Sequence, residues 1–309
     1  MALTLPYPDM NFVPLDVLTA AEQNQLVANI EYIANNVEES STIYTLVRTK
    51  IYIDGTSGDD TNTGLSTASP KKTLAGVMAK VNELGGSADI RFLSAGTYTL
   101  AGSYFDGANF IFEKNSSSIG DITINATGTV LFENSSVVLT GVDTDGSTMQ
   151  FYNSYFSTST GFKNSNVLEF NGSSAIIYSP TIKNRLVCYS GSNLYLTSPI
   201  IDLIPTVSGN NIISLNHGSK LGIATSMTIQ PMPEGSALNL IYGTTGADVA
   251  LTPTIIDNTG TSKLKRGLYL ERAVIRTSSS AITTLNGMGT SSNNIAGTLQ
   301  IVGNATVGA

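Results

Sequence analysis

Two stretches of this chain repeat each other without a gap: Ser173–Ile182 (SSAIIYSPTI) aligns on Ser192–Ile201 (SNLYLTSPII), so that Ser173 falls on Ser192. The opening of the pattern returns at Ser219–Ile223 (SKLGI) and again at Ser236–Leu240 (SALNL). A repeat of roughly 20 residues, made of short apolar runs between polar turns, is typical of a solenoid. The pattern therefore predicts an all-β chain whose coils differ in loop length. An antiparallel β-sandwich stack is the structural alternative.

Composition excludes several classes of partner. Charged residues make up 13% of the 309 residues, and the net charge is −7 with a pI near 4.7, which argues against a nucleic-acid partner because phosphate binding needs a basic face. No apolar run approaches the roughly 20 residues that span a bilayer, so no membrane insertion is expected. The single cysteine, Cys188, lies in a strand-like run and is predicted to be buried and inert. No secretory signal is visible, which indicates synthesis in a cytoplasm.

Residues 1–15 are predicted to be an extended arm, because three prolines block a helix there. The apolar side chains of this arm, Tyr7, Phe12 and Val13, have no core of their own and need a partner surface. We therefore assign residues 1–15 as an attachment segment.

Residues 16–40 are predicted to form a helical neck. Leu26, Ile30, Ile33 and Val37 recur at coiled-coil spacing and are assigned to a subunit interface. The alternative is a helix packed on the body of its own chain. Two heptads are too few for an isolated bundle, so the seam makes sense in an oligomer held by further contacts. Residues 41–50 are a linker.

Residues 51–86 carry the most specific local pattern. A strand ends at Asp54-Gly55, a polar loop follows, and Ser69 is a candidate N-cap with Pro70 in the first helical position. Apolar residues then fall on one helical face until Gly85-Gly86 ends the helix: Leu74, Val77, Met78, Val81 and Leu84. Residues 87–309 continue as short strands between Gly, Asn and Ser turns, enough for about ten to twelve coils and a rod of roughly 50 Å.

This strand, Asp-Gly loop, proline and helix together resemble the opening motif of pectate-lyase-like right-handed parallel β-helix proteins, in which the helix caps the first coil. The resemblance implies a single-stranded right-handed parallel β-helix. Residues 1–40, with LTLPYP at Leu3–Pro8 and FVPL at Phe12–Leu15, resemble the anchoring segment of bacteriophage fibre proteins, and residues 51–309 resemble phage tail spikes. The resemblance implies a homotrimeric virion appendage, docked on other virion proteins through its arm, without the long C-terminal domain of large spikes.

Depolymerising spikes cut polysaccharide with paired carboxylates, and the candidate acids here are few. Asp143 and Asp145 lie in a GVDTDG segment, where alternation in an extended chain puts both on one side, although an Asp-Gly turn would contain the same residues. Glu169 and Asp202 stand singly near apolar strands. A solitary exposed acid has no catalytic implication by itself.

Aromatic residues near position 155 are candidates for glycan contact, because sugars stack on aromatic faces. Tyr152, Tyr155 and Phe156 are the candidates, and packing between coils is the alternative role. His217, the only histidine, is predicted to be a solvated turn residue, so no histidine-based site can form within one chain. The Asp59-Asp60-Thr61-Asn62 loop has closely spaced oxygen ligands but lacks the bidentate glutamate of calcium loops. We expect no metal and no cofactor.

Together these features predict a structural component of a bacteriophage particle, located on the virion at its head or tail. We expect a trimeric adhesin that contacts host surface polysaccharide. A polysaccharide-degrading tail spike, with glycoside hydrolase or lyase activity, is the alternative function, so whether the protein is an enzyme stays open at this point.

Overall fold

The computed structural model describes residues 48–203, 211–224, 227–230, 239–252, 255–257, 266–277, 284–286 and 294–300, with side chains up to residue 250. The predicted arm, the neck with its seam, and most of the linker lie outside the described residues. The opening motif and much of the body of the chain lie within them.

The described chain is mostly β-structure. Its described residues include one helix, α1 (Leu74–Glu83). The strands of the first half are β1 (Thr49–Ile53), β2 (Ala88–Phe92), β3 (Gly96–Asp106), β4 (Asn109–Lys114), β5 (Ile122–Glu133), β6 (Ser136–Thr140), β7 (Asp143–Gly146), β8 (Thr148–Tyr152), β9 (Tyr155–Thr158), β10 (Lys163–Asn164), β11 (Val167–Asn171) and β12 (Ser174–Tyr178). Those of the second half are β13 (Thr181–Ile182), β14 (Leu186–Tyr189), β15 (Asn193–Thr197), β16 (Ile200–Ile201), β17 (Asn211–Leu215), β18 (Lys220–Ala224), β19 (Met227–Ile229), β20 (Asn239–Thr244), β21 (Asp248–Thr252), β22 (Ile255–Asp257), β23 (Arg266–Thr277), β24 (Thr284–Asn286) and β25 (Asn294–Gln300).

These strands form three ladders, and every described pairing is parallel. Ladder 1 runs through β1, β2, β4, β6, β9, β12, β15, β18 and β21 into the ends of β23 and β25. Ladder 2 runs from the first halves of β3 and β5 through β7, β10, β13, β16, β19, β22 and β24. Ladder 3 runs from the second halves of β3 and β5 through β8, β11, β14, β17 and β20 into β23 and β25.

Through the middle of the body each strand pairs with the third strand after it, so one rung of each ladder is formed per coil. The prediction of a mostly-β parallel chain is confirmed, and the antiparallel sandwich is wrong. The arrangement is solenoid-like and compatible with a β-helix.

The register tests the sequence repeat directly. Ser174 pairs with Asn193, and Asn193 pairs with Lys220, as the alignment of the first three repeats predicts. The further repeat at Ser236–Leu240 is wrong, because Lys220 pairs with Asp248 instead. Asn239 and Leu240 belong to β20 in ladder 3. The paired residues here are 28 positions apart in sequence, so the short similarity at Ser236 does not mark the next rung.

The core contains a row of stacked phenylalanines on ladder 3. Phe105, Phe132, Phe151 and Phe170 follow one another with ring centroids 5.2, 5.3 and 5.2 Å apart and planes within 18° of parallel. Cys188 occupies the next rung of the same row and is fully buried, as predicted. Burial raises the pKa of its thiol to about 12, so the thiol is protonated and unreactive.

A row of buried serines joins the coils at the corner between ladders 3 and 1. The backbone N–H of Ser135 donates to Oγ of Ser154 at 3.0 Å, and the N–H of Ser154 donates to Oγ of Ser173 at 2.9 Å. The N–H of Ser173 in turn donates to Oγ of Ser192 at 3.2 Å. Each hydroxyl also donates to a carbonyl, as Ser173 does to Phe151 at 2.8 Å. The row satisfies backbone groups that the corner would otherwise bury without partners.

The helix of the opening motif forms where its apolar pattern predicts, with one difference at its start. The apolar face of α1 is buried, and Gly86 N–H donates to the carbonyl of Val81 at 2.9 Å where the helix ends. The N-cap is Thr73, whose Oγ1 accepts from Gly76 N–H at 3.0 Å, so the prediction of Ser69 with Pro70 in the first helical position is wrong. Asp60 takes part in the same cap, because its Oδ1 accepts the N–H of Thr73 at 2.9 Å.

Candidate functional site

The two acids of the GVDTDG segment both point outward from ladder 2. The segment forms strand β7 rather than a turn, and alternation places Thr144 inward between Asp143 and Asp145. Asp143 is half-buried, and its Oδ1 accepts the backbone N–H of Lys163 on the next rung at 2.9 Å. Burial raises the pKa of the Asp143 carboxyl, against the opposing effect of that hydrogen bond and of the Lys163 charge.

Asp143 has a second carboxylate near it that sequence reasoning missed. Lys163 Nζ lies 3.9 Å from Oδ2 of Asp143 and 3.6 Å from Oδ2 of Asp121, so the two oxygens are no farther apart than the sum of these distances. Lys114 also lines the small pocket here, of about 170 Å³. The charge of Lys163 favours the ionised form of Asp143, and the pocket is smaller than most ligand sites. The arrangement is that of ion pairs between rungs.

The other two candidate acids lie elsewhere and have partners of their own. Glu169, on ladder 3, accepts a hydrogen bond from Nε2 of Gln150 at 2.8 Å. Asp202 follows β16 on ladder 2 and lies 3.4 Å from Nζ of Lys183. Both pairs join side chains on neighbouring rungs. The four acids predicted from the sequence are therefore not brought together in one cleft.

The predicted aromatic contacts separate into exposed and buried residues. Tyr152 and Tyr155 are exposed, on either side of the corner between ladders 3 and 1. Phe156 is buried, which excludes it from glycan contact: alternation in β9 turns its ring inward, where it packs against Phe151 and Phe170 at 4.8 and 5.9 Å between centroids. The alternation of β9 was itself the signal for this difference.

Two more tyrosines extend the exposed set along ladder 1. Tyr178 in β12 and Tyr195 in β15 are each 42% exposed, and they face outward on the same side as Tyr155. Both lie in the repeated stretch of sequence, one residue after an inward-facing aliphatic side chain. Sequence reasoning missed them because it looked for aromatics clustered along the chain rather than across rungs.

A groove lies beside Tyr195 on the outer face of ladder 1. It has a volume of about 440 Å³ and is lined on one side by Ile176, Tyr195, Gly222 and Ala250, which follow one another in register. The neighbouring register row carries polar groups along the same groove: Ser174, Asn193, Lys220 and Asp248. We call this the Tyr195 groove. Its volume lies within the range of small-molecule sites.

The remaining candidates have structural roles. His217 is an exposed corner residue with φ of 50°, as the turn prediction required. In the opening loop, Oδ1 of Asp59 accepts from the backbone N–H and the hydroxyl of Thr61, both at 2.8 Å, so this carboxylate is used to hold the loop. Within the described residues, no three His, Cys, Asp or Glu side chains are grouped to hold a metal ion. No helix in this part of the chain is long and apolar enough to cross a membrane.

Comparison with known proteins adds little. No protein-family model matches this chain, and no curated protein does. Among solved structures, the crystal structure of a GH136 lacto-N-biosidase from Eubacterium ramulus matches over 92% of this chain and 72% of that chain, at 9% identity and a TM-score of 0.31. A TM-score this low carries no argument about function.

Proposed function

We propose that this protein is a homotrimeric fibre or spike adhesin of a bacteriophage particle, whose body is a single-stranded right-handed parallel β-helix that contacts host surface glycan. The parallel pairing of each strand with the third strand after it supports the β-helix. Helix α1, with its buried apolar face, and the loop before it support the resemblance of residues 51–86 to the opening motif of pectate-lyase-like β-helix proteins. The arm, with Tyr7, Phe12 and Val13, would attach the protein to other virion proteins.

The observation that carries the adhesin function is the outer face of ladder 1. Tyr155, Tyr178 and Tyr195 project from three successive rungs. One rung and two residue positions separate Tyr178 from Tyr195, about 8 Å, and two rungs and two positions separate Tyr155 from Tyr195, about 12 Å. Rings at such spacings suit an extended oligosaccharide, since the C–H faces of sugars pack on aromatic rings. Three copies in a trimer would raise avidity without new contacts.

The alternative, a polysaccharide-degrading spike, has one observation in its favour. Asp143 has a raised pKa and a second carboxylate, Asp121, within reach of the same lysine. Paired acids of this kind perform glycoside hydrolysis when one is protonated and the other is free. Lys163 between them opposes that division of roles, and the volume of about 170 Å³ leaves little room for a sugar chain. We therefore favour the adhesin.

The deciding experiment incubates the purified full-length protein with capsule or wall glycan from a susceptible host. We expect sedimentable binding and no new reducing ends or unsaturated sugar products. Cleavage products would establish the enzymatic function, and Ala substitutions at Asp143, Asp145, Glu169 and Asp202 would then find the acids. Neither binding nor cleavage would leave a purely structural appendage.

The assembly is tested separately from glycan binding. Analytical ultracentrifugation of the intact protein should give a trimer, and Asp substitution of both Ile30 and Ile33 should release monomers or aggregates. Deletion of residues 1–15 should leave a folded body that no longer joins the particle. A stable wild-type monomer would overturn the trimer and the neck together.

A further inference from the structure

We propose that the Tyr195 groove is a binding subsite for one neutral sugar ring, a proposal that rests on the glycan-binding function above. The groove belongs to a register row that crosses the outer face of ladder 1 from β4 to β21: Ile111, Val138, Ser157, Ile176, Tyr195, Gly222 and Ala250. Side-chain size changes sharply along this row at Tyr195, which has the largest side chain and is followed by the two smallest residues, Gly222 and Ala250.

Gly222 makes room for the aromatic wall of this groove. A Cβ at position 222 would lie 2.9 Å from Cδ2 of Tyr195, closer than such atoms approach in proteins. The Tyr195 ring therefore leans over the Gly222 backbone, and Ala250 on the next rung keeps the surface low beyond it. A low apolar floor beside an exposed aromatic ring is a shape that the C–H face of a sugar ring fills.

The polar side of the groove sets the charge of the ligand. Asn193 supplies an amide, Lys220 an ammonium and Asp248 a carboxylate, on three successive rungs, and each lies two positions along its strand from the apolar row. That separation is about 7 Å, the width of a hexose ring with its hydroxyls. The charges of Lys220 and Asp248 are opposite, so the lining is neutral overall. Hydroxyls and N-acetyl groups match this set of donors and acceptors, whereas a carboxylated sugar would meet both Lys220 and Asp248 and gain no net electrostatic attraction.

The type of exposed apolar residue favours a sugar over a second copy of the chain. In the part of the ladders whose side chains are described, the large hydrophobic residues that are exposed are all tyrosines: Tyr104, Tyr152, Tyr155, Tyr178 and Tyr195. Ile111, Val138 and Ile176, on the same outer row as Tyr195, are only partly exposed. Tyrosine presents an apolar face and a hydroxyl together, which suits a wet polar ligand better than a dry interface between subunits.

The test measures binding of full-length protein to two panels of tetrasaccharides, one neutral (built from glucose, galactose and N-acetylglucosamine) and one sialylated, by saturation-transfer NMR and titration. Tyr195→Ala and Gly222→Val should each weaken binding of a neutral tetrasaccharide by tenfold or more. Tyr195→Phe should keep it, since stacking is retained. Gly222 has no left-handed backbone conformation, so valine fills the groove without backbone strain.

Matched controls separate a filled groove from a damaged fold. Ala224→Val adds methyl groups to the same strand, β18, outside the groove lining, and Tyr104→Ala removes an exposed tyrosine from ladder 3. Both controls should bind like the wild type, and circular dichroism should show a cooperative melt for every variant, including Gly222→Val, which must displace the Tyr195 ring. Binding of neutral sugar that survives both Tyr195→Ala and Gly222→Val overturns this subsite alone. Binding of sialylated sugars only, at this groove, overturns its assignment to neutral rings. No binding of either panel or of host glycan by the wild type overturns the adhesin function itself.

Discussion

The outer faces of ladders 1 and 2 are built on the same coils yet differ in chemistry. On ladder 2, the outward row Thr123, Asp143, Lys163 and Thr181 is polar and charged, and its acid and base pair between rungs. On ladder 1, the row around Ile176 and Tyr195 is apolar and aromatic. On both ladders, outward residues alternate along each strand with residues that point into the core, so every second residue is buried.

This difference shows where the chain is free to vary. Inward residues must match the residue one rung away, as the stacked phenylalanines and the serine row do, because a mismatch would leave a void or an unpaired polar group. Outward residues face only water or a partner. The charges of ladder 2 suffice for solubility and pairing, whereas exposed aromatic rings on ladder 1 contribute little to the stability of the coil. Those rings are therefore the better sign of a binding function.

The largest expected effect is a loss of stability in the core, on which the outer faces of both ladders depend. Phe151 lies in the middle of the phenylalanine row, with stacked neighbours at 5.3 and 5.2 Å, so Phe151→Ala leaves a cavity that the adjoining rungs cannot fill. We expect a loss of about 3–5 kcal/mol in the free energy of unfolding, measured by urea denaturation followed by circular dichroism. The control Tyr178→Ala removes an exposed ring and should cost far less. A loss below about 1 kcal/mol for Phe151→Ala would mean that the row does not hold the coils together.

The serine row gives the next effect in size. Ser173 accepts from the N–H of Ser154 and donates to the carbonyl of Phe151, so Ser173→Ala leaves buried backbone groups without partners. We expect a cost of about 1–3 kcal/mol by the same denaturation measurement. Ser157→Ala, on the outer face of ladder 1, is the matched control and should be close to neutral. Equal costs for the two serines would contradict the assignment of the row as a structural corner.

The same alternation of inward and outward residues explains how much of the structure the sequence predicts. Alternation within a strand decides which residues point inward. The burial of Cys188 and the exposure of Tyr152 and Tyr155 could therefore be predicted from the sequence. The inward orientation of Phe156 could have been predicted in the same way. The repeat in the sequence also predicted the pairing of Ser174 with Asn193.

Side-by-side neighbours outside the first three repeats could not be predicted, because they depend on the number of residues in each coil. The repeat places Gly222 beside Tyr195, but Gly222 lies beside Ala250, 28 residues further along the chain, and not 17 residues further as the repeat at Ser236 predicts. The same applies to Lys163 and Asp143, whose contact spans 20 residues. Loop lengths vary at little energetic cost, so local pattern alone does not determine register between coils.

A direct comparison of the two faces comes from binding. The double variant Tyr155→Ala/Tyr178→Ala on ladder 1 should weaken host-glycan binding about tenfold, with the free energy of unfolding within about 0.5 kcal/mol of the wild type. Lys163→Met on ladder 2 breaks the exposed ion pair with Asp121 and the partly exposed pair with Asp143, should cost about 0–1 kcal/mol, and should leave binding unchanged. If the ladder 2 variant loses glycan binding and the ladder 1 variant keeps it, the assignment of the glycan-binding face to ladder 1 is wrong.

The smallest expected effect is a difference in pH dependence between two carboxyls. Burial opposes ionisation of Asp54 in the opening loop, but hydrogen bonds from Ser57 and Thr56 outweigh it and lower its pKa from 3.8 to about 2. Its folded pKa lies below its unfolded value, so it contributes stability above pH 3.8 that is lost as the pH falls towards 2. Burial of Asp143 on ladder 2 raises its pKa, so that carboxyl lowers stability at neutral pH, and the penalty disappears on acidification towards pH 3.8.

Melting temperatures of the wild type, Asp54→Asn and Asp143→Asn at pH 7, 4 and 2.5 would reveal these opposite signs. The advantage of the wild type over Asp54→Asn should shrink between pH 4 and pH 2.5, because only the wild type has a carboxylate to protonate there. The wild type should instead gain on Asp143→Asn between pH 7 and pH 4, as its Asp143 takes up a proton in the folded state. If the melting-temperature advantage of the wild type changed with pH in the same direction against both variants, Asp143 would be ionised and paired with Lys163 as an ordinary carboxylate. Ladder 2 would then carry no perturbed acid, and the observation that favours the enzymatic alternative would be lost.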